Sequence, residues 1–372
     1  MKTMWRAATL VFLCLGVWTC AQGGDTATAP QPDAPSPARP AAVAPRALAD
    51  MPMWAYGITT LPQPGDTATP QAWGRQFNPA VDHDEQLKPM LHVAGSSRAY
   101  ASIDLNDWTN TVDWFPDEHA PMPDVVQHGS ASLGEKKRAC AFCHRISGGG
   151  RPENAPVAGL PVEYFLRQLE DFRSGRRHST DPRKPNVPTM IGIAQAISPD
   201  EARAAAEYYA AQSGTPRIRI VESGRAPPLR LRGNLFVATG NERTEPLTDR
   251  IVEVLDGDEE QFYDNPHMGY MAYVPPGSIE RGRALVTAGS AGTQAGALPA
   301  AQSCTACHGP DLHGLGPAPP LAGRSPSYLV RQLYDFKTGA RDGSLAPLMK
   351  PVASGLSTQQ MTDIAAYIAS LR

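Results

Sequence analysis

Four cysteines and two histidines set the chemistry of this chain. They fall as Cys140-Ala-Phe-Cys143-His144 and Cys304-Thr-Ala-Cys307-His308. Two thiols three positions apart on one helical turn can reach the two vinyl groups of a single porphyrin, and the imidazole that follows then points at the iron. This C-x-x-C-H spacing is the signature of covalent c-type haem attachment. Two haem c groups are therefore expected, one on Cys140 and Cys143 and one on Cys304 and Cys307. Three other uses of the same residues explain less. A redox dithiol leaves the His idle twice. A four-cysteine zinc site usually parts its pairs by about 15 to 20 residues, whereas 160 residues lie between Cys143 and Cys304. Paired disulfides suit an oxidising compartment, but C-x-x-C neighbours close strained rings and again leave the His unused.

An electron-transferring haem iron takes a soft sixth ligand, and a Met sulfur opposite the His raises its potential. Pro188-Thr189-Met190 and Pro347-Leu348-Met349 stand at matching places downstream of the two motifs, each read as a proline-containing loop. Eight residues beyond each Met comes Ser198 or Ser357, followed by Glu201 or Gln360, the capping-box pattern that starts a helix. The expected axial ligands are His144 with Met190 and His308 with Met349. His178 and His313 are rival candidates. Pro156 and Pro320, which also correspond, either supply a carbonyl to the other ring nitrogen of the ligating His or form a rigid turn.

These groups are carried by a repeat. A shift of 164 residues aligns Cys140 to Arg177 with Cys304 to Arg341 without a gap, including Tyr164-x-x-Arg167-Gln168-Leu169-x-Asp171-Phe172 and Tyr328-x-x-Arg331-Gln332-Leu333-x-Asp335-Phe336. Tyr, Gln, Leu and Phe at i, i+4, i+5 and i+8 share one helical face. That face either packs on the haem as core or turns its polar heads to a haem propionate. Gly175 and Gly339 are the expected helix stops.

The remaining sequence bounds the setting. Of 372 residues, 34 are basic and 37 acidic, a net charge of -3, which gives no footprint for nucleic acid. Residues 1–21 read as an export signal, with Lys2 and Arg6 ahead of an apolar run from Ala7 to Trp18 too short to span a bilayer. A periplasmic destination follows, with either plain cleavage after Ala21 or a lipid anchor at Cys20 as the only membrane attachment. Residues 22–50 form an Ala/Pro-rich tether. Residues 51–120, with Trp54, Tyr56, Trp73, Trp108 and Trp114, are expected to wrap the first repeat as irregular structure. Residues 214–275 carry short strand patterns at Arg217 to Glu222, Leu229 to Arg232 and Arg250 to Leu255, and are expected to form a small β-hairpin insertion.

With His directly after C-x-x-C, a Met some 40 residues on and a closing helix ending Ala-Ala-Tyr-Ile-Ala-Ser-Leu, each repeat resembles a class I cytochrome c, the second more closely. Gly277-Ser278-Ile279-x-Arg281-Gly282, Pro320-Leu321-Ala322-Gly323 and Met349-Lys-Pro-Val are similar to the cytochrome c553 and dihaem cytochrome c4 group. The resemblance implies a mainly α protein with tandem helical haem domains at 121–213 and 276–372. It also implies single-electron carriage between redox partner proteins: a periplasmic dehydrogenase or quinol-linked donor, and other cytochromes or an oxidase. A dihaem enzyme of the peroxidase or thiosulfate-oxidising type needs an open or displaceable iron site, against which the paired Met residues argue. A haem-based sensor has no visible signalling domain.

Overall fold

A computed structural model describes residues 48, 50–67, 90–101, 103–213, 217–232, 235–239, 243–257, 265–287 and 303–372, all within the unit Arg39–Arg372. The export segment, Cys20, nearly all of the tether and Trp73 lie outside the described residues. The helices are α1 (Met53–Tyr56), α2 (Asp124–Gln127), α3 (Cys140–His144), α4 (Val162–Arg173), α5 (Asn186–Ala196) and α6 (Pro199–Ala210), then α7 (Ser278–Thr287), α8 (Cys304–His308), α9 (Pro326–Thr338), α10 (Ala346–Ser354) and α11 (Thr358–Ser370). Between α6 and α7 run strands β1 (Ile218–Glu222), β2 (Leu229–Arg232), β3 (Leu235–Ala238), β4 (Val252–Asp256) and β5 (Gly269–Val274). The protein is mainly helical, as expected. None of the described helices is long and apolar enough to cross a membrane.

Each repeat ends in a helix whose start is written in its sequence. Ser198 and Ser357 cap α6 and α11, and Glu201 and Gln360 close reciprocal capping boxes. In the second repeat α11 buries Met361, Ile364, Ala365 and Ile368 and crosses α7 at Gly282. A Cβ on Gly282 would lie 1.9 Å from the Asp363 carbonyl oxygen, so only glycine lets the two backbones meet. Arg281 clamps the crossing with two bonds to Asp363, at 2.8 and 2.9 Å. Gly282→Ala is expected to force the helices apart and destabilise this repeat by about 1–3 kcal/mol, the usual cost of overpacking. Thermal melting of the haem-loaded chain checks this, and an unchanged midpoint would mean the crossing is loose. The first repeat opens instead with the four-residue α2.

Residues 90–120 fill the space around that shorter start. Val93, Leu105, Val112 and Trp114 form their own small core. The Trp108 carbonyl accepts from Ala139 N at 2.7 Å, and the Arg138 guanidinium lies 3.2 Å from the Trp108 ring centre. This part packs against the first repeat. Residues 50–58 do not: Met51, Ala55 and Tyr56 join the core of the second repeat with Leu329, Tyr334 and Ile364. Tyr56 donates to Asp335 at 2.7 Å, and Arg331 donates to the Ala55 carbonyl at 2.5 Å.

The insertion is more than the expected hairpin. That hairpin exists as β2 paired antiparallel with β3. Beside it stands a three-stranded sheet in the order β1-β5-β4, with β1 parallel and β4 antiparallel to β5. Strand β5 alternates, burying Tyr270, Ala272 and Val274. It escapes a sequence reading because its other face carries Met271 and Tyr273, which blurs the polar alternation. From β4, Glu253 accepts from Ser325 Oγ (2.9 Å) and Ser327 N (3.2 Å) at the start of α9. Arg145, next to the first haem motif, donates to the carbonyls of Asn265 and Met268. The insertion therefore ties the two repeats together.

Candidate haem sites

The short helices α3 and α8 present the two C-x-x-C-H motifs in the same way. His144 Nδ1 lies 2.8 Å from the Ala155 carbonyl, and His308 Nδ1 lies 2.7 Å from the Pro319 carbonyl. A carbonyl only accepts, so each ring carries its proton on Nδ1 and leaves the Nε2 lone pair for a metal. Burial lowers the pKa of both imidazoles despite those hydrogen bonds, which keeps them neutral as ligands must be. The acceptor is the residue before each shared proline, not Pro156 or Pro320 itself. Gly150 and Gly314, at φ +70° and +95°, fold the loop back so that the preceding carbonyl meets the ring. The proline carbonyls are occupied elsewhere, both accepting from Arg324 at 2.5 Å.

Met190 and Met349 lie within α5 and α10 rather than in loops. Pro188 and Pro347 occupy the first turns of those helices, where a missing N–H costs no intrahelical bond. His144, Met190, His308 and Met349 all line one cavity of about 630 Å³, so the insertion does not hold the two sites apart. His178 shares the cavity wall. His313 does not: its ring is exposed and meets the Asp311 carbonyl at 3.0 Å. The four motif cysteines form no disulfide. Burial pushes the Cys140 thiol up to about 12 and the Cys304 thiol up to about 11.

The helical face shared by the repeats does something that neither sequence expectation described. Arg177 and Arg341 pair as a short antiparallel bridge, with His178 N donating to the Ala340 carbonyl (2.8 Å) and Asp342 N to that of Arg176 (2.6 Å). Each guanidinium reaches into the other repeat. Arg177 donates to Gln168 (2.8 Å), Gln332 (2.9 Å) and Tyr328 (3.3 Å); Arg341 donates to Gln332 (3.2 Å), Gln168 (2.7 Å) and Tyr164 (2.7 Å). The network maps onto itself when the repeats are exchanged. Arg177 lies over Phe172 and Arg341 over Phe336, at 4.6 and 4.4 Å.

This cluster tests whether the cavity suits haem. Arg177, Arg324 and Arg341 are each at least nine-tenths buried, and every hydrogen bond they make goes to an amide, a phenol or a carbonyl. Burial alone would raise the Tyr328 phenol, yet these three guanidiniums hold it below its ordinary value. Buried cations without a carboxylate partner are costly unless an anion completes them. Haem brings two propionates, and this cavity offers imidazole and thioether donors at both motifs together with three buried guanidiniums that hydrogen-bond only neutral groups. The residues fit the group. Among the described residues, no cluster of three or more His, Cys, Asp or Glu side chains forms a separate metal site.

Known proteins agree with this reading. The cytochrome c family model matches residues 280–372. Cytochrome c-554(548) of Halomonas halodenitrificans is 46% identical over 69 residues, covering 18% of this chain and 83% of that protein. Cytochrome c4 of Pseudomonas aeruginosa is 26% identical over 249 residues, covering 65% and 89%. A protein named thiosulfate dehydrogenase electron acceptor, from Stutzerimonas stutzeri, is 43% identical over 81 residues, 21% of this chain but only 36% of that protein. The short match is less than the length of one repeat, and the long one exceeds it. The chain belongs to the cytochrome c family, as a dihaem, cytochrome c4-like protein with two covalently bound haem c groups.

Proposed function

We propose that this protein is an exported electron carrier of the periplasm, with His144 and Met190 as axial ligands of the first haem and His308 and Met349 of the second. The observation that carries this reading is the cavity lined by both ligand pairs, which supports two haem sites near enough to exchange an electron. When bound, each haem supplies a one-electron couple. The chain's own residues set its character. The Ala155 and Pro319 carbonyls orient the imidazoles and make them stronger donors. Met190 and Met349 would supply the thioether ligands, which favour the reduced iron. Arg177 and Arg341 would neutralise haem carboxylates at the junction of the repeats. The likeness to a thiosulfate dehydrogenase electron acceptor supports a dehydrogenase on the donor side, with another cytochrome or an oxidase as acceptor. The basic and apolar start of the sequence supports export, and Cys20 is the candidate lipid anchor.

The test is a carbon monoxide difference spectrum on the reduced protein, after confirming two covalent haems per chain. No binding is expected, because both irons hold strong sixth ligands. Stoichiometric binding at one haem would expose an open iron, remove one Met assignment and favour a dihaem enzyme.

A further inference from the structure

The repeats differ between the shared arginine and the shared methionine. Thirteen positions take Arg177 to Met190, whereas eight take Arg341 to Met349. The longer first loop is laid against α9 of the second repeat. Thr180 donates to Asp335 Oδ1 through its backbone N (3.0 Å) and its hydroxyl (2.8 Å). Arg183 holds Asp181 at 2.7 Å and the Thr60 carbonyl at 2.5 Å. These bonds fix Lys184, 3% exposed, on the wall of the haem cavity. Among the described residues its amine donates no hydrogen bond, and the shorter loop of the second repeat lacks the five positions that carry it.

A buried lysine with no hydrogen-bond partner sits where its charge is easily changed. Burial and the charge of Arg331 pull its pKa down, and Glu153, Asp335 and Asp181 pull it up, leaving it at about 7. Those are the charges facing it: Glu153 from the loop after the first haem motif, Arg331 and Asp335 from α9, and Asp181 with its partner Arg183 from its own loop. Tyr56 of α1 reaches it only through Asp335. Arg177 and His178 share the cavity wall.

We propose that Lys184 couples electron uptake at the first haem to proton uptake, a property the second haem lacks. This rests on the axial assignments above. Reduction adds one electron from the redox partner, and Lys184 Nζ then takes one proton from solvent, which offsets the added negative charge. Oxidation returns both. Below the lysine's pKa the ammonium favours the reduced state; above it the neutral amine does not, so the first potential falls as pH rises.

The test is spectroelectrochemical titration of the full haem-loaded chain between about pH 5.5 and 9, for the wild type, Lys184→Met and Lys184→Arg. In the wild type one midpoint falls with pH around neutrality by up to tenfold in the electron-uptake constant per pH unit, about 59 mV for a one-electron couple, and the other stays flat. Lys184→Arg keeps the low-pH potential throughout, and Lys184→Met keeps the high-pH one. A slope retained in Lys184→Met would overturn the proposal and assign the proton to His178 or a propionate. Equal slopes at both haems would overturn it as well. If Lys184→Met does not retain haem, Lys184→Gln takes its place with the same expected flat line. Carbon monoxide binding by the wild type would instead remove the axial reading, so the two failures are distinguishable.

Discussion

Met349→Ala is expected to leave one iron per chain able to bind carbon monoxide and to lower one midpoint potential while the other holds. Met349 sits in the first turn of α10 on the cavity wall. His313, the rival candidate in the second repeat, is exposed beside Asp311 and does not line the cavity. Loss of the thioether removes the ligand that favours the reduced iron. The shift should be on the order of 0.1 V, a fraction of the roughly 0.8 V that axial ligands span. Carbon monoxide titration and a potentiometric titration check the two halves of the result. An unchanged spectrum and unchanged potentials would remove Met349 from the ligand set.

The second large effect should come from Arg177→Leu combined with Arg341→Leu. Both guanidiniums are 8% exposed, and their protein partners are neutral. If haem carboxylates complete them, deleting the cations strands buried negative charge, a change that typically costs about 3–5 kcal/mol. The same charge then disfavours electron uptake, so both midpoints should fall together. The repeats should also separate at lower temperature, because the cross-repeat bonds to Gln168, Gln332, Tyr164 and Tyr328 vanish with the side chains. Calorimetry on the haem-loaded double variant checks the sign. A variant that melts above the wild type would mean the arginines are uncompensated cations, which apolar replacement relieves.

What could be read in advance depended on whether one segment carried the information. Cys140 to His144 and Cys304 to His308 announce their chemistry locally, and Ser198 with Glu201 or Ser357 with Gln360 announce helix starts. The correction from Pro156 and Pro320 to Ala155 and Pro319 is a matter of one peptide unit, set by how sharply Gly150 and Gly314 turn. Met190 and Met349 were placed in loops because a proline beside them reads as a breaker, although proline in a helix's first turn breaks nothing. The roles of Tyr164, Gln168 and Arg177 were hidden for another reason. Their cross-repeat partners are more than 150 residues away, and a helical period shows which side is inward without showing what lies there. The docking of Tyr56 on Asp335, across 279 positions, is equally non-local, and so is the parallel pairing of β1 with β5.

The bridge between Arg177 and Arg341 has a historical consequence. An arrangement in which every contact is answered by the same contact with the halves exchanged is the interface of a twofold homodimer. An ancestor of half this length, with one haem, would meet a second copy of itself through the same Tyr, Gln and Arg, needing no new residues. Joining two such copies end to end makes the association independent of concentration. It also frees each half to change alone, so Arg324 and the Lys184 loop could each arise on one side only. Such a fusion would turn a symmetric pair into a directional one.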